Sequence, residues 1–495
     1  GNTQGIDELA EAAAYEHWHR LLFTRFLAEN GLLHTDDDLG NVPVTLAECD
    51  ELAPELGAED GFDLACRFAA RTLPGVFRAD DPVLELKLAP NHAVGLRRLL
   101  DKLPAETFRA DDALGWTYQF WQAKRKEQIN KSGVKIGAKE LPAVTQLFTE
   151  DYMVEFLLHN SIGAWWAGRC VERGGCDLSV ERCLEEQDAR AAVGLPARDG
   201  LPGIAWTYLR FVRPDAGVDA EGESGAGADA DSSPDPDPDP DPDFDRGRGA
   251  GAARWQPAAG TFDGWPRSAA EITMLDPCMG SGHFLVFALP ILARLRMEEE
   301  GSSAADAVAA VLRDNLHGLE IDERCTQIAA FNVALTAWKL GGYQVLPEMQ
   351  LACSGLAPNV SKAEWMALAD RIAEFVEIPP KRDLFGVDDN LFSAPVRNGM
   401  ERLYDLFEQA PTLGSLINPQ SVGRDLLVAG FEQLAPLIRN ALDKNLDIDA
   451  KERVVTASDV AKAGAILSSN FYLVITNVPY LKRGKQKNLL QDYCD

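Results

Sequence analysis

Paired cysteines are missing from this chain. Its nine cysteines are scattered without a C-x-x-C pair, and Cys170, Cys176 and Cys183 have neither zinc-ligand spacing nor nearby histidine partners. No metal site is expected, and the thiols read as reduced. The chain also lacks a secretory apolar segment at its start and any apolar run of the roughly eighteen residues needed to span a bilayer. A cytoplasmic protein without a membrane partner is expected. Positive charge is scarce as well, with 48 Lys and Arg against 77 Asp and Glu and a net charge of −29. That balance looks wrong for a protein that binds nucleic acid, but its distribution resolves part of the conflict. Residues 215–245 hold twelve acidic and no basic side chains, including a Pro-Asp repeat from Pro234 to Asp243. Such sequence cannot bury a core, so residues 215–250 are expected to be a disordered acidic linker.

Two nucleotide fingerprints are also absent. The run Asp-Pro-Cys-Met-Gly-Ser-Gly-His-Phe at 276–284 follows an apolar stretch, read as a strand over 271–275, and precedes an apolar helix over 284–297. The glycine turn between them lets the backbone approach a ligand. It has no G-x-G-x-x-G and no Lys-Ser/Thr after the last glycine, which disfavours pyrophosphate cofactors. A carboxylate one strand later suits a ribose, and Glu320 stands at the expected βαβ spacing. About two hundred residues after the glycine turn, the apolar run 471–476, read as a buried strand, ends in Asn477, Val478, Pro479 and Tyr480. There the Asn477 side-chain oxygen and the Val478 carbonyl can accept from a planar exocyclic amino group, and the Tyr480 ring can stack on the base that carries it.

These segments, 276–284, 318–322 and 477–480, resemble motifs I, II and IV of the amino-group DNA methyltransferases. The residues Phe-Thr-Glu-Asp-Tyr-Met-Val at 148–154 are similar to the segment that precedes motif I in the adenine-specific enzymes. With Gly-Trp-Thr-Tyr-Gln at 115–119 and residues 476–486, the chain is similar to the large adenine methyltransferases of bacterial antiphage systems, of the phage-growth-limitation, BREX and DISARM types, which are related to the type IIG methylases. The resemblance implies an α/β fold, with a Rossmann-like class I S-adenosylmethionine-dependent core preceded by helices. It implies S-adenosyl-L-methionine as cofactor, held by Phe148, Thr149, Asp276, Pro277, Gly280, Gly282, Phe284, Glu320, Ile321 and Ser354. For Ser354, the run 414–417 is a competing match. The implied catalytic residues are Asn477, Val478, Pro479 and Tyr480. Val478 stands where the family usually has a proline, at a position thought to contribute its carbonyl.

The expected organisation is a helical domain over 1–140, a cofactor-flanking helical segment over 141–214, the acidic linker, and a methyltransferase core over 251–495 with a helical insertion at about 360–465. The carboxyl-terminal part of the family's fold and its target-recognition domain are expected to lie outside this sequence. Lys124, Arg125 and Lys126, in a run that continues to Lys139 with Glu127 as its one acid, are candidate phosphate contacts. So are Lys482 and Arg483, which follow Tyr480 directly. Double-stranded DNA and defence-system proteins are the expected partners. Asp81 with Glu85 and Lys87 is a nominal nuclease pattern, but the acid lies too close and no apolar strand pair flanks it. The competing functions are a non-catalytic adaptor with a cofactor-like fold, a cytosine-N4 methyltransferase and a protein-glutamine methyltransferase.

Overall fold

Four short apolar segments form one parallel sheet in the computed structural model, which describes residues 5–78, 81–109, 113–137, 140–145, 149–213, 253–358, 360–374, 390–419, 431–442, 448–478 and 483–494. The strands are β1 (Met274–Asp276), β2 (Leu316–Glu320), β3 (Gln350–Cys353) and β4 (Leu473–Val474), in the spatial order β3-β2-β1-β4. Asp276 pairs with Gly318 and Glu320 with Cys353, so the carboxyl ends of the three strands β1 to β3 align. The order reverses at β1, where β4 joins on its other side. In open α/β sheets, that reversal marks the crevice where ligands bind. The fold is therefore α/β, as expected.

Both faces of β1 to β3 are covered, which explains why these strands read as continuous apolar runs rather than alternating ones. Leu275, Leu319 and Ala352 pack against four helices of the region expected to be an insertion, Lys362–Glu374, Asn390–Phe407, Phe431–Leu442 and Ile448–Ser468. On the opposite face, Leu285 of helix α1 (His283–Glu300) approaches Gly318 and Leu351. Two further helices follow, α2 (Ala304–Asp314) and α3 (Glu323–Gly341).

The amino-terminal helices join this core rather than standing apart from it. Ile6–Glu29 buries Tyr15, Leu22, Phe23, Phe26 and Leu27, at the spacing of one helix face. That stripe meets Cys325, Ile328, Phe331 and Trp338 of α3, with the Phe23 and Phe331 rings 4.3 Å apart. Burying each large ring stabilises the contact by about 1.5–3 kcal/mol.

Two strand readings shift. Ser268 caps a 3₁₀ turn over Ala269–Glu271, its hydroxyl accepting from the Ala270 amide, so β1 begins at Met274 instead of 271. β4 is half-exposed, with Val474 at 58%, because it forms the sheet edge among the described residues. An apolar run alone does not distinguish an edge from a centre.

The described residues fall into two compact units. The first comprises residues 1–154, 198–202 and 268–495, and the second 155–197 and 203–267. In the second, the indole N–H groups of Trp166 and Trp206 both donate to the Val193 carbonyl, at 3.1 and 3.0 Å. Gly163, in a π turn over His159–Gly163, lies against the Trp206 ring with no room for a side chain. Two-residue strands Phe211–Val212 and Gln256–Pro257 pair antiparallel. Residues 214–252, which contain the acidic linker, lie outside the described residues.

Candidate cofactor and methyl-transfer site

The chain turns sharply after β1, and the turn needs glycine for two different reasons. Gly280 has φ +53° with open space around its Cβ position, so the conformation itself demands glycine and the backbone stays uncovered. Gly282 has φ +85°, and a Cβ there would sit 3.1 Å from that of Ala329, so close packing is added to conformation. Gly282 caps α1 without a side-chain hydrogen bond. The turn is anchored by Met279 N donating to the Leu319 carbonyl at 2.9 Å and by the Asn332 amide donating to Ser281 O at 2.9 Å. Phe284, three percent exposed, belongs to the core beneath the turn.

Two buried carboxylates flank this loop. Glu320 ends β2, and its side chain accepts from three backbone amides: Gly280 at 2.8 Å, Ile321 at 2.9 Å and Asp322 at 3.1 Å. It bridges the glycine turn to the turn after β2, with a lone pair left over on Oε2. Asp276 accepts from Cys278 N at 3.1 Å through Oδ1, while Oδ2 is buried without a hydrogen-bond partner. Burial pushes both acids up to about 7. The Thr476 hydroxyl partly offsets this for Asp276, although Thr476 Oγ1 makes no hydrogen bond of normal geometry. An orphaned oxygen beside an open glycine turn is the arrangement of a ligand cradle.

The two competing segments for the third motif meet. Ser354 follows β3, is fully buried, and donates its amide to Glu320 O at 2.7 Å. Its hydroxyl lies 3.1 Å from that of Ser415, which donates to Pro277 O at 2.6 Å. Ser354 and the run 414–417 thus share one wall, next to Ile321. Sequence reasoning treated them as alternatives because the 60 residues between them hide their proximity.

Asn477 lies three residues beyond β4, and its side-chain Nδ2 donates to Thr149 Oγ1 at 3.1 Å. That bond leaves Oδ1 available as an acceptor. Asp151 Oδ1 lies 3.2 Å from Nε2 of His283 at the start of α1, so residues 149–151 touch both the glycine turn and the turn after β4. The Asp151–His283 contact was not anticipated, nor was the bond from Tyr118 to Asp322 at 2.8 Å. Val478 is half-exposed. Phe148, Pro479, Tyr480 and Lys482 lie outside the described residues.

The two basic runs come together. Ile136 donates to Lys485 O at 2.6 Å and accepts from Lys487 N at 3.0 Å, forming a parallel bridge. Lys124 is exposed and Lys126 half-buried, Arg125 pairs with Glu11 at 2.8 Å, and Arg483 begins a short 3₁₀ turn. Asp81 caps the turn Pro82–Glu85, while Lys87 pairs with Glu59. Among the described residues, no group of acids, cysteines and histidines could hold a metal, and no helix is long and apolar enough to cross a membrane.

No protein-family profile matches the chain. Curated relatives do. An adenine-specific methyltransferase PglX of Lacticaseibacillus casei is 24% identical over 532 aligned positions, covering 99% of this chain and 37% of that protein. An adenine-specific methyltransferase BrxX of Escherichia coli is 24% identical over 97% of this chain and 36% of its own length. A PglX of Streptomyces coelicolor is 32% identical over 24% of this chain and 9% of its own. The chain thus spans a little over a third of the length of the first two relatives. Over nearly all of its own length, this protein is similar to the adenine-specific methyltransferases PglX and BrxX, the resemblance its motifs carry.

Proposed function

We propose that this chain is the S-adenosylmethionine-binding and catalytic part of a DNA adenine-N6 methyltransferase that marks DNA in a phage-defence or restriction-modification system. The observation that carries the reading is that Asp276 and Glu320 end adjacent parallel strands and Asn477 follows the next one, around a glycine turn with open space at Gly280. The β3-β2-β1-β4 order supports a Rossmann-like class I core. The 24% identity over nearly the whole chain to two adenine-specific methyltransferases supports the choice of base.

The residues present fit the cofactor. The uncovered Gly280 backbone takes the methionine part, Glu320 the ribose hydroxyls, and Ile321 with Ser354 the adenine ring. Bound there, S-adenosylmethionine supplies an electrophilic methyl group. An adenine amino nitrogen is a poor nucleophile because its lone pair is delocalised into the ring. Asn477 Oδ1 and the Val478 carbonyl accept hydrogen bonds from its two N–H groups, draw it towards tetrahedral geometry and hold it in line, so positioning and electrostatics do the catalysis. The Thr149 bond to the Asn477 amide orients that acceptor. The target base is reached by flipping, and Tyr480 replaces part of the lost stacking, worth about 1–3 kcal/mol. Lys124, Arg125, Lys126, Lys482 and Arg483 face the phosphates, with defence-system proteins as further partners.

The test is calorimetric titration of the 495-residue chain with S-adenosylmethionine. Micromolar binding is expected, weakened at least tenfold in Glu320→Ala. A folded chain that takes up no cofactor would leave the non-catalytic adaptor as the better reading.

A further inference from the structure

We infer that Tyr118 is a positioning residue of the cofactor site, through which the amino-terminal helices set affinity for the nucleoside end of the ligand. This rests on the reading of Glu320 as the ribose acceptor. Tyr118 lies on the helix Ala113–Ser132 and is two percent exposed. Its hydroxyl donates to Asp322 Oδ2 at 2.8 Å and accepts from Gln122 Nε2 at 2.8 Å, so both of its functions are used. Asp322 is held on every side. Its Oδ1 accepts from Arg324 N at 3.0 Å and caps α3, while its own amide donates to Glu320 Oε1 at 3.1 Å. A directed series of hydrogen bonds therefore runs from Gln122 through Tyr118 and Asp322 to the Glu320 carboxylate.

Capping a helix requires only one carboxylate oxygen. The second oxygen of Asp322 is satisfied by a side chain 204 positions away, that of Tyr118, whose ring sits in an apolar cluster that phenylalanine would fill equally well. A second tether acts at the same turn. Tyr15 packs edge-on to Tyr118 with ring centres 6.1 Å apart, and its hydroxyl donates to Arg324 O at 3.2 Å. The Arg324 guanidinium lies 4.8 Å over the Tyr15 ring and reaches Glu11 at 3.2 Å. The segment that orients Glu320 is thus fixed by two amino-terminal helices. Recognition of a diol by one carboxylate needs placement within about 0.5 Å, so slack in this turn appears as lost affinity. Without the Tyr118 hydroxyl, Asp322 Oδ2 loses its buried O–H donor, for which the neighbouring Cys325 thiol is a weak substitute, and the turn must shift to regain one.

The experiment titrates the whole chain with S-adenosylmethionine and with adenosine, which keeps the ribose but lacks the methionine part. Tyr118→Phe is expected to weaken both ligands by about tenfold, or about 1.4 kcal/mol, with circular dichroism unchanged. Gln122→Leu, which removes only the donor that orients the hydroxyl, is expected to weaken both about threefold and serves if Tyr118→Phe does not fold. Combined with Glu320→Gln, either change is expected to add little, because the group being positioned has been altered. Unchanged affinity in the variants, even with a lowered melting temperature, overturns the inference, as do penalties that simply multiply in the double variant. A folded wild-type chain that binds neither ligand overturns the Glu320 reading itself, and this inference with it.

Discussion

Asp276 accepts one amide through Oδ1 and leaves Oδ2 buried without a donor, an arrangement that costs stability whenever the group is ionised. Burial raises it in the folded state from its ordinary 3.8 to about 7. Between those values the folded protein keeps a proton that the unfolded chain releases, so its stabilising effect is present below about pH 4 and is lost as pH rises through 7. Glu320, also raised to about 7, acts in the same direction. Asp276→Asn keeps the acceptor for Cys278 N and removes the charge. It is expected to melt with the wild type at pH 4 and above it at pH 8, by a few kcal/mol at most, one pKa unit being about 1.4 kcal/mol, while losing affinity for S-adenosylmethionine. Thermal melts at the two pH values decide this, and an equal difference at both would sink the account. At this scale much was legible. Asp276, Glu320 and Asn477 stand at fixed offsets from strands, and that spacing is printed in the sequence. The partners of these residues were not legible, because Thr149 and Asn477 meet across 328 positions.

A strand that must pass beneath a ligand loop has little freedom in its own composition, and β2 illustrates this at Gly318. A Cβ there would overlap Met279 Sδ and lie 2.9–3.0 Å from Leu351 and Leu285. The Met279 side chain can yield, but the two leucines are buried in a covered face and cannot yield together. Gly318→Ala is expected to destabilise by about 1–3 kcal/mol, as overpacking of cores does. The check is the urea midpoint at unchanged slope; a neutral result would mean that the face repacks freely. From sequence, Gly318 reads only as a gap in an apolar run, since the collision comes from three other elements. The same limit explains the reading of β4. The edge position that leaves Val474 exposed is set by neighbours distant in sequence, whereas the Ser268 cap that delays β1 is a local turn hidden by the apolar residues after it. Helices were easier, because α1 and Ile6–Glu29 carry their periodicity within themselves.

For the whole molecule, charge distribution matters more than the net value of −29. The basic runs stand far apart in the chain, yet the Ile136 bridge to Lys485 and Lys487 brings them together. Composition revealed each run but not the bridge, which depends on backbone hydrogen bonds that any side chain permits. Residues 215–245 carry twelve acids and no basic side chain. If the basic runs contact DNA as proposed, a tethered polyanion competes with its phosphates for the same lysines through long-range attraction, which is screened beyond about 10 Å at 0.1 M salt. Deleting 215–245 is therefore expected to raise affinity for non-specific duplex DNA several-fold at 50 mM salt and to change it little at 300 mM. Lys485→Gln, in either background, is expected to reduce the slope of log K against log salt by about one. Fluorescence anisotropy across a salt series separates the two effects. If the deletion shifts affinity equally at all salt concentrations, the acidic segment does not act as an electrostatic competitor.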